Sequence, residues 1–107
     1  QNITYLLNSK KVKELNNISN IVISPDGKFL ALSKNKQILI LNLQNYKIVH
    51  KFLFKDSTTN MIWSKHTQDI YVSEASTSIV WTIDTNEWFK EREIYQIQNP
   101  SKIFEIN

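Results

Sequence analysis

Residues 20 to 43, NIVISPDGKFLALSKNKQILILNL, can be written above residues 60 to 83, NMIWSKHTQDIYVSEASTSIVWTI, without a gap, at an offset of 60 minus 20, or 40 residues. In this alignment Ser24 falls on Ser64, Leu30 on Ile70, Leu32 on Val72, Ile40 on Val80, Leu41 on Trp81 and Leu43 on Ile83. Apolar positions meet apolar positions. The chain therefore contains an internal repeat, and a repeat of this length decides architecture before any single residue does.

Within each copy the apolar runs are short, rich in Ile, Val, Leu and aromatics, and separated by polar residues, which is the pattern of strands and not of helices. The first copy predicts strands near 21–23, 29–32, 38–43 and 48–54. Ser24, Pro25, Asp26 and Gly27 form the first turn, where proline sets φ and glycine accepts a positive one. The second copy predicts strands at 60–63, 70–73 and 79–83 and a weaker outer strand between Phe89 and Ile97. Four antiparallel strands every 40 residues is the unit of a β-propeller blade. The unbroken run Ile38, Leu39, Ile40, Leu41 needs cover on both faces, as stacked blades provide.

The expected fold class is thus all-β, with antiparallel four-stranded blades of a partial propeller over 1–107. Blades are expected over 19–55 and 59–98, the end of a preceding blade over 1–18 (strands at 3–7 and 12–15), and the start of a next strand over 101–107. A propeller closes with about four blades or more. Two blades leave faces to be covered, by further blades of a longer chain or by association of several copies.

The stretch VISPDGKFLA followed by ILILNLQNYKIV resembles the WD-repeat family, from the turn containing Ser-Pro-Asp-Gly-Lys to the third strand. The repeats are degenerate. Where the family writes Trp-Asp at the end of its third strand, this chain has Leu41-Asn42 and Trp81-Thr82, and Lys55 to Thr58 replace the usual Gly-His. The family's His-Asp-Ser-Trp hydrogen-bond network cannot be assembled, so packing and backbone ladders are expected to carry stability. Trp63-Ser64 and the segment Trp81 to Trp88 are also similar to a WD-repeat subfamily of centrosomes and spindle poles. That resemblance implies a cytoplasmic, cytoskeletal adaptor that anchors microtubule minus ends through protein partners.

Composition narrows the function. The 107 residues carry 13 Lys and Arg against 10 Asp and Glu, a net charge of +3 scattered along the sequence apart from Lys10, Lys11 and Lys13. A solvated strand face explains that better than a nucleic-acid patch. No window of 18 apolar residues suggests a helical membrane span. The start at Gln1 does not read as a signal peptide, and the chain is expected to be cut from something longer. Without cysteine there is no disulfide or thiol chemistry, consistent with a reducing compartment. His50 and His66 lack neighbours spaced as metal ligands. One glycine leaves no phosphate loop, and no nucleophile elbow or catalytic carboxylate pair is present. No enzyme, cofactor or metal is expected.

The expected role is a scaffold that binds other proteins. Trp63 and Trp81 are assigned to the core. Trp88 and Phe89, between the turn Asp84 to Glu87 and the charged run Lys90 to Glu93, are the candidate partner-binding pair, with inward packing on the neighbouring blade as the alternative for Trp88. Lys34 and Lys36 mark a loop on one rim as a second candidate contact. Nucleic-acid or ribonucleoprotein binding through Lys34, Lys36, Lys51 and Lys55, with stacking on Phe52 and Phe54, is the rival reading.

Overall fold

The computed structural model describes residues 17–75 and 79–94, the last four as backbone only. Eight strands make two sheets in sequence order: β1 (Ile18–Ile23), β2 (Phe29–Lys34), β3 (Gln37–Asn42) and β4 (Ile48–Leu53), then β5 (Thr58–Trp63), β6 (Ile70–Glu74), β7 (Ile79–Asp84) and β8 (Phe89–Ile94). Every pairing is antiparallel. The strands expected at 3–7, 12–15 and 101–107, and the lysines at 10, 11 and 13, lie outside the described residues.

The turn chemistry follows the sequence. Ser24 Oγ accepts the N–H groups of Lys28 (3.1 Å) and Phe29 (2.9 Å) and donates to Asp26 Oδ1 (2.6 Å), while Gly27 sits at φ 75. The Asp26 carboxyl is held below its ordinary value, first by the Ser24 hydroxyl and then by the Lys28 N–H. Ser64 takes the same place in the second sheet, accepting from His66 N (3.0 Å) and Thr67 N (3.2 Å). Both first strands break register at equivalent points, Ile18/Asn20 and Thr58/Asn60. A hydroxyl pair bridges strands beside each break: Ser19 Oγ to Ser33 Oγ (3.2 Å) and Thr59 Oγ1 to Ser73 Oγ (2.8 Å).

The 40-residue offset holds through the second strand and then changes. Leu30 pairs with Leu41, whereas Ile70 pairs with Ile83, so the counterpart of Leu41 is Ile83 and not Trp81, at an offset of 83 minus 41, or 42. The cause is the length of chain between the paired strands, two residues (Asn35 and Lys36) in the first sheet and four between Glu74 and Ile79 in the second. Two residues preserve strand parity, so a gap-free alignment still matched apolar with apolar.

The sheets pack face to face. Ala31, Ile38, Ile40, Phe52 and Phe54 from the first meet Met61, Trp63, Ile70, Val72 and Ile83 from the second in one buried cluster. Leu30, Leu32, Leu39 and Leu41 bury the opposite face of the first sheet with Ile18, Ile21, Tyr46 and Ile48 around them. All four residues of the run Ile38 to Leu41 are fully buried, as its lack of polar breaks implied.

Candidate interaction surfaces

Each sheet ends in two rims. The β1–β2 and β3–β4 turns lie at one end, and the β2–β3 turn and the β4–β5 connection at the other. Lys34 and Lys36 belong to the second rim, half-buried and exposed respectively. They flank Asn35, whose φ of 55 is one that asparagine tolerates. Lys36 O accepts Phe54 N–H (2.8 Å) and Asn35 O accepts Thr58 N–H (3.3 Å), which draws Lys55 onto the same rim. Trp88 and Phe89 stand at the opposite rim, so the two candidate pairs do not form one site.

Trp88 packs inward. Its ring stacks on His50 of the first sheet, centroids 4.4 Å apart and planes at 17°, and meets Phe29 edge-on at 5.3 Å and Trp63 at 6.4 Å. Phe89 remains 44% exposed. The backbone explains the inward course. Trp88 N–H donates to Asp84 O (2.8 Å) with Trp88 at φ 59, and Tyr46 N–H donates to Asn42 O (2.7 Å) with Tyr46 at φ 61. In both turns a side-chain oxygen, of Asp84 or Asn42, first caps the N–H two residues on. The third turn of each sheet therefore holds an aromatic in the left-handed region, strained by roughly 1 kcal/mol or more and kept there by packing. Trp88 joins the cluster between the sheets and Tyr46 the cluster on the far face of the first.

Burial pulls the His50 imidazole below its ordinary value. The folded chain then binds a proton less readily than the unfolded chain. This contribution to stability is intact above the ordinary histidine value of about 6.5, declines as pH falls through it, and levels off once the folded group also protonates. Thermal melts across that range are expected to show the decline in the native chain and a flatter profile in His50→Gln.

A second cross-sheet cluster occupies the lysine rim. Glu74, buried at the end of β6, accepts Trp81 Nε1–H (2.8 Å) and Asp56 N–H (3.0 Å). Lys90 places its ammonium 4.4 Å from the ring centroids of both Phe54 and Trp81 and donates to Leu53 O. Burial pulls the Lys90 ammonium below its ordinary value, and the Glu74 carboxylate opposes that. Thr58 adds a side-chain bond from the second sheet to Ser33 of the first. Sequence reasoning missed the Glu74 and Lys90 cluster and, separately, the stacking of His50 on Trp88. The available signal was Trp81, an interior indole N–H that requires an acceptor, with Glu74 the nearest acid on the adjoining strand.

Among the described residues no group of three or more His, Asp or Glu side chains is placed to hold a metal ion, and no helix is long and apolar enough to cross a membrane. No family model and no curated protein matches the chain by sequence. Solved structures do match it. RRP9 WD40 repeats align over 70% of this chain and 23% of theirs, with a TM-score of 0.62 and 24% identity. U3-55K aligns over 70% of this chain and 24% of its own, with the same score and identity. The β-propeller domain of Cps50 (Swd1) from Myceliophteria thermophila aligns over 75% and 28%, at 0.59 and 16% identity. The two four-stranded antiparallel sheets resemble WD40 propeller blades. The chain spans about a quarter of the solved chains it matches, so the described fold is a partial propeller. These neighbours support the WD-repeat resemblance and add nothing to the centrosomal one.

Proposed function

We propose that this chain is a non-catalytic interaction scaffold, two blades of a larger WD40-like ring whose loop rims contact partner macromolecules. The observation that supports this most is the face-to-face stacking of two four-stranded sheets, which gives the long strands to the core and leaves the turns free for recognition. The WD40 fold is one that typically does no catalysis. Remaining blades, from a longer chain or from further copies, complete the ring. Thr82 Oγ1, buried on the second sheet's face turned away from the first and without a hydrogen-bond partner among the described residues, suits a face that another blade would finish.

For the partner, ribonucleoprotein stands ahead of a centrosomal adaptor. RRP9 and U3-55K are among the structural neighbours, and Lys34, Lys36 and Lys55 share one rim. On the opposite rim Trp88 is half-buried by its packing on His50 and Phe29, and Phe89 beside it is exposed and is the stronger candidate contact of the pair. The test is recovery of partners with the full chain at rising salt, with and without ribonuclease. A scaffold that binds protein keeps its partners after ribonuclease treatment, whereas a ribonucleoprotein partner is lost. Ribonucleoprotein binding falls steeply with salt and weakens in Lys34→Ala/Lys36→Ala/Lys55→Ala. Recovery of no partner under any condition contradicts the scaffold reading.

A further inference from the structure

From Lys47 to Lys55 every second residue is exposed, but β4 shifts register between Ile48 and His50, so Lys51, Leu53 and Lys55 share one face of the strand and Lys47 lies on the other, while His50, Phe52 and Phe54 turn toward the second sheet. Val49 is 42% and Leu53 66% exposed, two of the four large hydrophobics so exposed among the described residues. Among the described residues the strand is the outer edge of its sheet. Phe54 N–H points to β3, where Lys36 O accepts it, so by the alternation of an antiparallel ladder the N–H groups of Lys51 and Leu53 point to the open edge. Lys90 takes the Leu53 carbonyl at the rim end.

Lysines alone on an edge strand are a device against unwanted pairing. Exposed Val49 and Leu53 between them are not, since they offer the apolar surface that such a device hides. A second copy of β4 laid on this edge would bring lysines against lysines, which is unfavourable. The complement of lysine alternating with aliphatic side chains is carboxylate alternating with aliphatic side chains. We propose that the free edge of β4 is a docking site for an extended acidic protein segment, which adds a fifth strand by backbone pairing with Lys51 and Leu53 and sets its carboxylates against Lys51 and Lys55. The inference deepens the scaffold reading and rests on it. Nucleic acid fits less well, because the exposed side chains between the lysines are aliphatic and offer no ring on which a base stacks.

The probe is a synthetic peptide of repeated Glu-Thr-Val-Thr, which as a strand sets glutamate and valine in turn along one face, titrated into the full chain. Binding is expected, with slowed hydrogen exchange at the Lys51 and Leu53 amides. Affinity is expected to fall about tenfold in Lys51→Glu/Lys55→Glu, whose exposed positions leave the fold intact, and also in Leu53→Asn. The same peptide with lysine in place of glutamate should not bind. The proposal is overturned if the glutamate–valine peptide fails to bind, if it binds without protecting those two amides, if charge reversal leaves its affinity unchanged, or if an oligouridylate protects the same amides equally. Partner recovery by the native chain with and without ribonuclease makes no use of this edge, so the scaffold reading survives failure of the peptide.

Discussion

Replacing Trp88 with alanine is expected to destabilise the chain by about 3 kcal/mol, the lower end for removal of a packed Trp side chain. The half-buried indole joins the sheets by a stacked contact with His50 and an edge-on contact with Phe29, and meets Trp63 edge-on within its own sheet. Trp88→Gly deletes the same contacts but relieves the positive φ, and is expected to lose about 1 kcal/mol less than the alanine variant. Chemical denaturation of the three proteins measures both differences. If Trp88 were chiefly a partner anchor, Trp88→Ala would keep the native denaturation midpoint and lose only binding. Such a result would return the residue to the contact surface.

The second large effect is expected at Glu74. Glu74→Leu leaves the Trp81 indole N–H and the Asp56 N–H without their acceptor and the Lys90 ammonium without its opposing charge, a loss of about 3 kcal/mol. Adding Lys90→Met removes the second charge while keeping an unbranched apolar chain against Phe54 and Trp81. The double variant is therefore expected to be more stable than the sum of the single changes predicts, because a charge pair removed together leaves no lone ion behind. Strict additivity in a denaturation cycle would show that Glu74 and Lys90 act separately. This cluster and the hydroxyl bond from Thr58 to Ser33 serve here in place of the WD-repeat network whose residues the sequence lacks.

The fold was legible because two signals agreed. Matching apolar positions in 20–43 and 60–83 marked the blades, and Ser24, Pro25, Asp26 and Gly27 marked a turn whose hydrogen bonds the structure shows. Trp63 and Trp81 join the cluster between the sheets, as their strand neighbours implied. The change of offset to 42 was hidden because two added residues between β6 and β7 return each side chain to the same face. A one-residue insertion would have exposed itself by inverting the pattern.

The candidate site was less legible, because contacts between blades join residues far apart in sequence. Trp88 follows a polar turn, and only the left-handed backbone at that position sends its ring onto His50, 38 residues away (88 minus 50). Lys34 and Lys36 fall on a rim, as a turn between strands requires, but on the end opposite Trp88 and Phe89. That separation follows from the number of strands between the turns and could have been counted from the predicted order. The contacts of Lys90 with Phe54 and the Leu53 carbonyl could not, since they depend on how deeply one sheet stacks on the next.

The most direct test of the stacking is a nuclear Overhauser spectrum of the full chain. Face-to-face blades predict cross-peaks between the His50 and Trp88 rings and between Phe29 and Trp88, with no backbone ladder linking β4 to β5. A continuous β4–β5 ladder without those ring contacts would mean one extended sheet and would contradict the account.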